Sequence, residues 1–311
     1  MDPTLPPPVE EIIATLADED QPLVMTELAE LSGLTTAELG LFTDTWATIS
    51  PDRRRKIIIR LVEMAEDNLK LDFNGIYKFC LDDPDDEVRL QAIEGLWESE
   101  EPSLLDRLID LLESDSSEKV QAAAAVAIGK FALLAEHQKL TDEQMSKIQK
   151  SLLSTLSDKS KSAEVGRRAL EAAAPISIPE VKKTIEDAYK SKDVKLKISA
   201  IYAMGKSCDL VWMPALLKDL FHPEAEVRYE AAGACGELEE ESAVPLLIEL
   251  IEDFDADVQM AAIQALGKIG NQEAKNRLQE CLEDENEVVR EIAGQVLNEL
   301  ATFEDPLSFQ P

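Results

Sequence analysis

Apolar residues recur along most of this chain with a period close to 31 residues. The recurring position is occupied by valine or leucine, at successive intervals of 32, 45, 31, 31, 31 and 30 residues: Val88, Val120, Val165, Leu196, Val227, Val258 and Val288. Similar phrases surround each member, such as EVRYEAAGACG and DVQMAAIQALG. A fixed period of this length, with one helical hairpin per unit, is typical of a stacked helical solenoid. We therefore predict that each repeat contributes two helices.

Within each unit, apolar residues are spaced three and four positions apart, as on one face of a helix. The residue four positions after the recurring one is alanine in six units, which would let neighbouring helices approach closely: Ala92, Ala124, Ala169, Ala200, Ala231 and Ala262. Second helices should turn a similar apolar face inward: Leu104, Leu108, Leu111 and Leu112; Val181, Ile185, Ala188 and Tyr189; Ala243, Leu247, Leu250 and Ile251; Ala274, Leu278, Cys281 and Leu282.

Polar residues and glycines mark the predicted ends of the first helices. Residues suited to capping a helix stand three positions before the recurring one: Asp85, Ser117, Ser162, Asp193 and Asp255. Glycines stand nine positions after it: Gly129, Gly205, Gly236 and Gly267. Because glycine accepts the left-handed conformation that many helix ends require, we predict that these glycines end the first helices.

The repeated phrase resembles the HEAT repeat, specifically the short variant of phycobilisome-lyase-like proteins, whose first helix has the form D-x-x-V-R-x-x-A-x-x-A-L-G. The resemblance covers roughly residues 83–300 and is strongest over 223–282. It implies an all-α fold, a right-handed α-α superhelix (a HEAT-like solenoid) of about six to seven helical hairpins. It implies little about activity, because one fold hosts unrelated functions.

The two ends of the chain differ from the repeats. Residues 1–8 are proline-rich and predicted to be disordered, and residues 301–311 are predicted to be a tail. Residues 9–50 should form a cap of three short helices, the third opened by a capping box from Thr35 to Glu38. The solenoid should then span residues 51–300, starting with a degenerate repeat whose first helix is capped at Ser50-Pro51. The 45-residue interval predicts an insertion near 131–141, which we expect to project as a surface loop.

Charge separates the chain into three parts. Its net charge is −32, from 31 Lys and Arg against 63 Asp and Glu. Residues 1–138 have a net charge of −19, residues 139–206 of +5 and residues 207–311 of −18. Acidic surfaces repel phosphate, so we expect no nucleic-acid partner, and another protein with a basic surface is the better match. The alternative is that the charge only keeps an elongated protein soluble.

Neither a membrane span nor a secretory signal is evident. No stretch approaches eighteen apolar residues, and MDPTLPPPVEE lacks a basic and then apolar run, so we expect no membrane partner and a cytoplasmic location. The four cysteines are widely separated and include no C-x-x-C pair, which favours small core residues over a metal or redox site.

Enzyme motifs are largely missing. The two histidines, His137 and His222, have no adjacent glutamate, so the dinuclear iron site of some HEAT-repeat hydroxylases is not expected. Phosphate-loop and nucleophile-elbow motifs do not occur, and we expect no cofactor. The family resemblance leaves one enzymatic alternative, a subunit of a lyase acting on bilin chromophores of phycobiliprotein-like substrates. No catalytic residue transfers from that family.

The sequence therefore predicts a non-enzymatic protein-binding scaffold or adaptor. The resemblance implies that second helices line the concave face. Candidate protein-binding residues on these helices are Arg107, Asp110, Lys182, Lys183, Asp187, Lys218, Glu249, Arg277 and Glu280. Trp97 and Trp212 are predicted to fill the core, with a role as binding anchors as the alternative.

Overall fold

The computed structural model describes residues 7–304, and its regular structure there consists of helices without strands. The chain divides into two compact units, residues 1–151 with 158–165, and residues 152–157 with 166–311. The predicted disordered start falls largely outside the described residues, as does residue 305 onward of the predicted tail. Residues 301–304 are helical, since the last helix continues past its predicted end at residue 300.

Three short helices precede a series of helical hairpins. The helices of the first unit are α1 (Val9–Thr15), α2 (Met25–Ala29), α3 (Thr36–Trp46), α4 (Pro51–Asp67), α5 (Asn74–Cys80), α6 (Asp86–Gly95), α7 (Leu105–Ser114) and α8 (Glu118–Glu136). Two helices contribute residues to both units, α9 (Asp142–Ser157) and α10 (Ala163–Ala173). The second unit continues with α11 (Pro179–Tyr189), α12 (Val194–Lys206), α13 (Met213–Asp219), α14 (Ala225–Leu238), α15 (Val244–Leu250), α16 (Ala256–Ile269), α17 (Gln272–Glu280) and α18 (Glu287–Glu304).

We call the even-numbered helices from α4 onward first helices and the odd-numbered ones from α5 onward second helices. Within residues 51–280 they form seven hairpins, and α18 follows as a final first helix. The predicted all-α solenoid is therefore confirmed. The capping box that opens α3 is also present: the Thr35 side chain accepts from the Glu38 N–H at 3.3 Å, and the Glu38 carboxylate accepts from the Thr35 N–H at 2.7 Å.

The predicted repeat register is confirmed except in the last helix. The six alanines at the fourth position are 0% exposed, and so are the recurring valines from Val88 to Val258, whereas Leu196 at the same position of α12 is half-buried. In α18, Val288 is 48% exposed, whereas Val289 is 4% exposed and Ala293 is 0% exposed. The interval from Val258 to Val289 is 31 residues, so the predicted register of this helix was wrong by one position.

The insertion predicted as a surface loop is mostly helix. Helix α8 continues to Glu136, and Phe131, Ala132 and Leu134 are buried on its inner face. The loop prediction was wrong because these apolar residues extend the helical spacing of the residues before them. The inward position predicted for Leu282 was also wrong, since this side chain is 42% exposed in a 3-10 turn after α17.

The predicted helix-ending glycines are wrong as well. All four lie inside helices, and α14 instead ends at Glu239 with a φ of +52°. Helix α16 ends at Gly270, whose φ is +59°. Three of the predicted helix caps are confirmed, because the side chains of Asp85, Asp193 and Asp255 cap α6, α12 and α16. The side chain of Ser117 makes no capping hydrogen bond to α8.

Three of these glycines serve a different purpose, because each faces the next first helix at very short range. The junctions pair Gly205 with Ala234, Gly236 with Ala265, and Gly267 with Val296. A Cβ atom added to Gly236 would lie 2.8 Å from the Cα of Ala265, closer than real Cβ atoms come to other atoms. Glycine at this position therefore sets the separation of consecutive first helices.

A buried arginine ties each of two first helices to neighbouring turns. Arg228, which is 5% exposed, donates to both carboxylate oxygens of Asp253 at 2.7 and 2.8 Å and to the His222 carbonyl at 2.8 Å. Arg89 makes the corresponding bonds to Asp115 and to the Asp83 carbonyl. Both arginines directly follow the recurring valine and are therefore equivalent in the repeat. We call these two buried arginine–aspartate networks the ladder.

Substituting Gly236 tests the close approach of the first helices. We expect Gly236→Ala to lower the free energy of unfolding by about 1–3 kcal/mol, because α14 and α16 would have to separate. Gly233→Ala in the same helix is the control, since a Cβ there meets nothing within 4 Å. It should be neutral or stabilising by up to about 1 kcal/mol, because alanine is the better helix former. Urea denaturation followed by circular dichroism would measure both, and equal responses would contradict this role of Gly236.

Replacing Arg228 tests the buried ladder. Arg228→Lys should destabilise the protein by about 1–3 kcal/mol, because one ammonium group cannot bond both oxygens of Asp253 and the preceding carbonyls together. Arg60→Lys is the control, since Arg60 and Glu63 form an exposed ion pair at 2.6 Å, a kind of pair that contributes little. A thermal midpoint for Arg228→Lys as high as that of the control would contradict the expectation.

Candidate functional site

The candidate residues predicted on the second helices are distributed over both units. Asp110 lies in the first unit, whereas the other exposed candidates belong to the second: Lys182, Lys183, Asp187, Lys218, Glu249 and Glu280. Lys182 is engaged with Asp209 at 2.7 Å, and Lys183 pairs with Asp187 on the same helix. Their role in binding stays a prediction.

Arg107 and Arg277 are half-buried and contact the end of the preceding second helix. Arg277 donates to Glu252 at 2.7 Å, and Arg107 donates to Asp82 at 2.6 Å. Both pairs join residues 25 positions apart, so they are equivalent in the repeat. These two arginines therefore hold successive second helices together.

A continuous depression, which we call the groove, crosses the exposed face of the first helices α12, α14, α16 and α18. One part has a volume of about 240 Å³ and lies between α12 and α16. The adjoining part, of about 710 Å³, extends to α18 and shares Glu237, Gln264 and Lys268 with the first. The groove thus spans four successive repeats of the second unit.

Eight of the groove residues occupy two positions of the repeat, six and ten residues after Leu196, Val227, Val258 and Val289. The sixth position provides Tyr202, Gly233, Gln264 and Gln295, and the tenth provides Lys206, Glu237, Lys268 and Glu299. The charges alternate along the tenth position. Lys206 donates to Glu237 at 2.8 Å, and Lys268 donates to the other oxygen of the same carboxylate. Burial opposes ionisation of Glu237, but these hydrogen bonds prevail and hold its pKa below the usual range.

Glu230 has a different environment in the same groove. It is half-buried, and among the described residues it has no hydrogen bond or ion pair. Burial raises the pKa of Glu230 to about 7, the negative charges of Glu171 and Glu237 act in the same direction, and Lys206 opposes them. Glu237 is therefore ionised and paired, whereas Glu230 changes charge near neutral pH.

Gly233 opens the floor of the groove beside Glu230. A Cβ atom added to Gly233 would meet nothing within 4 Å, so helix contacts do not require glycine there, in contrast to Gly236. Two tyrosines flank this opening, with Tyr202 38% and Tyr229 45% exposed. The combination leaves space and exposed aromatic surface next to an unpaired carboxyl group.

Other chemistry is sparse in the described part of the chain. Residues 7–304 contain no group of three or more His, Cys, Asp or Glu placed to hold a metal ion. All four cysteines are free, and burial raises the pKa of Cys235 to about 12, which suits a core residue. None of the described helices is both long and apolar enough to cross a membrane.

The two tryptophans differ in location. Trp212 is 9% exposed, as predicted for a core residue, and the Lys182 ammonium lies 5.8 Å from the centre of its ring. Trp97 is 60% exposed, so its predicted core position was wrong. Helix α6 ends at Gly95, two residues earlier, and Trp97 consequently follows the helix instead of lying on its inner face.

The predicted binding residues lie on the second helices, whereas the groove lies on the first helices. The same 31-residue step, applied to exposed positions of the first helices, would have aligned Tyr202, Gly233 and Gln264. Nothing in the sequence alone distinguished the exposed face of one layer from that of the other.

Comparisons with known structures support the fold. The complex of CpcE and CpcF of phycocyanin lyase from Nostoc sp. is 18% identical, with a TM-score of 0.50 over 74% of this chain and 94% of that one. Kap95p, in a structure describing its binding to RanGDP, is 13% identical, with a TM-score of 0.51 over 96% of this chain and 46% of that one. Human deoxyhypusine hydroxylase is 18% identical over 94% and 96% of the two chains, but the TM-score is 0.37.

Sequence comparison identifies the family. No curated protein sequence matches the chain. The family model for HEAT repeats matches residues 74–143 and 212–298, which together make up half of the chain. Both matched regions consist of the helical hairpins described above. The protein is thus a member of the HEAT-repeat family.

Proposed function

We propose that this protein is a binding scaffold or adaptor whose partner protein docks in the groove of the second unit. The observation that carries the proposal is the groove itself, which presents exposed side chains from four successive repeats on one surface. A solenoid offers an extended surface of this kind instead of a closed pocket. Exposed tyrosines beside charged groups are also typical of protein interfaces.

Helix spacing favours the first helices as the concave layer of this unit. They meet where glycine lies against the backbone of the next helix, as at Gly236 and Ala265. Second helices contact one another less extensively and are bridged by long side chains such as Arg277 and Glu252. When two layers of a stack differ in spacing, the closer-spaced layer lies inside the curve. We therefore infer that the concave face of this unit is lined by the first helices, not by the second helices as the family resemblance implies.

The charge of this region supports a basic protein surface as the partner. Residues 207–311 contain 6 Lys and Arg against 24 Asp and Glu. Complementary charge accelerates association and disfavours partners of the same sign, nucleic acids among them. A cytoplasmic location of the complex stays a prediction.

Known proteins of similar fold fit a binding role without identifying the partner. Kap95p binds RanGDP, and CpcE forms a complex with CpcF. The phycocyanin lyase fold is also the observation behind the alternative, a subunit of a bilin lyase. That alternative requires a change in bilin absorbance when the protein meets a bilin and a phycobiliprotein, whereas a scaffold produces none.

Site-specific photocrosslinking tests which layer holds the partner. A photoreactive benzoyl-phenylalanine would replace Gln264 or Gln295 in the groove, or Glu249 or Glu280 on the exposed face of second helices. We expect the groove positions to crosslink the natural partner at least several-fold more strongly. All four residues are exposed, so unequal access of the probe is controlled. Preferential crosslinking at Glu249 and Glu280 would refute docking in the groove.

Glu230 provides a test of function through stability. A carboxyl group whose pKa is higher in the folded chain than in the unfolded one stabilises the fold fully only at low pH, and this contribution is lost as pH rises towards the folded pKa of about 7. Glu230→Gln should therefore stabilise the protein at pH 8 by about 1–2 kcal/mol and change little at pH 4. A residue that lowers the stability of the folded protein in this way is expected at a binding site. A urea midpoint at pH 8 no higher than that of the wild type would contradict it, and Glu249→Gln is the exposed control.

A further inference from the structure

One part of the groove has the form of a receptor for a single positively charged side chain. We call it the notch: Tyr202, Tyr229 and Glu230 bound it, and Gly233 forms its floor. We propose that the notch binds an arginine side chain of the partner protein, with Glu230 as the ion-pair acceptor and the tyrosine rings against the guanidinium plane. The inference rests on the proposed function and specifies the chemistry that the groove recognises.

The first argument is the available acceptor. Glu230 is half-buried and has no partner among the described residues, whereas Glu237 is held by Lys206 and Lys268 and Glu239 is exposed. A half-buried carboxylate without a counter-ion gains more from a cation than a fully hydrated one, because less water must be displaced. The negative charge of ionised Glu230 is therefore available to pair with one additional cation.

The second argument is the aromatic surface. Tyrosine rings attract cations over their faces, and arginine also stacks on them through its planar guanidinium. The ammonium of Lys206 already lies 5.8 Å from the centre of the Tyr202 ring. Because Glu237 compensates the charge of Lys206 at 2.8 Å, this lysine does not exclude a second cation.

The third argument is space. A side chain at the sixth position of the repeat would stand between Tyr202 and Gln264, and Gly233 leaves that place empty. Glycine inside a helix destabilises the helix relative to alanine. Contacts between the helices do not offset this cost at Gly233, since an added Cβ would meet no atom within 4 Å.

The notch also makes recognition sensitive to pH. The charged groups that face Glu230 are Glu171 from α10, Lys206 from α12 and Glu237 from its own helix, and Lys268 from α16 lines the same groove. Glu230 must be ionised to accept the cation, so the apparent Kd should rise as the ionised fraction falls. With a pKa of about 7, the ionised fraction changes roughly tenfold between pH 6 and pH 8.

A peptide titration tests the notch directly on the full-length protein. The probe is an alanine- and glutamine-rich helical peptide of about twenty residues, long enough to be partly helical, with one central arginine. Its control replaces arginine with citrulline, which has nearly the same shape and no charge. The measurement is the chemical shift of the Gly233 backbone amide and the Gln264 side-chain amide, up to low-millimolar peptide.

We expect the arginine peptide to shift these signals and the citrulline peptide to leave them unchanged. Binding should be about tenfold tighter at pH 8 than at pH 6. Glu230→Gln should remove the dependence on pH and weaken binding about tenfold, and Glu249→Gln should bind as the wild type does. Gly233→Trp should abolish binding by filling the notch, with an unchanged thermal midpoint to show that the fold is intact.

Any of three results would refute the notch. Equal chemical-shift changes with the arginine and citrulline peptides would show that no ion pair contributes to binding. Arginine-dependent changes only outside the groove would show that the cation binds elsewhere. Absence of any shift at millimolar peptide would likewise refute the proposal. Crosslinking of the natural partner at Gln264 would survive each of these results, so failure of the notch remains distinct from failure of the proposed function.

Discussion

Close contact between consecutive first helices is the constraint on which the second unit depends. Gly236 against the backbone of Ala265 leaves no room for a side chain, and the glycine–alanine contact recurs one repeat earlier at Gly205 and Ala234. Packing energy falls off over fractions of an ångström, so these contacts fix the helix separation closely. Helices held at this separation expose a shallow surface formed by the side chains between their contact points. The groove is that surface.

The buried charges of the ladder complement this constraint. Arg228 and Asp253 are both about 6% exposed on their side chains, and such a pair is stable only when its hydrogen bonds are satisfied. Arg228 meets that condition by bonding the turn before its own helix and the turn after the next one. Glycine contacts thereby set the distance between first helices, while the ladder determines how α6 and α14 are aligned with their neighbouring turns.

Two residues of the groove have fewer hydrogen-bond, ion-pair and packing partners than residues of the surrounding scaffold. Arg228 is fully engaged in the core of the repeat, whereas Glu230, two residues later, is half-buried and forms no ion pair with any described residue. Gly233 likewise has no structural requirement for glycine, while Gly236, one turn later, has one. Groups that burden the fold locally are expected where binding is the selected property. Within this one helix, residues whose polar groups and spacing are satisfied belong to the scaffold, and residues without such partners line the candidate site.

The sequence by itself determined the repeat, the helical hairpins and most of the core. A 31-residue period of apolar positions specifies which face of each helix is buried, because burial follows helical geometry along the chain. For this reason Ala231 and Ala262 were predicted to be buried and are buried. Local capping chemistry was equally visible, as in the Thr35 and Glu38 capping box.

Only the tertiary structure decided what the glycines do and which exposed residues lie together. The sequence does not show whether Gly236 ends a helix or allows a neighbouring helix to approach. The neighbouring atom that decides between these roles belongs to a residue 29 positions away. Glu230 has the ordinary pKa of a glutamate until three helices reduce its contact with water. Separations between helices and the desolvation of a single carboxyl group arise from contacts between repeats, which a period along the chain does not specify.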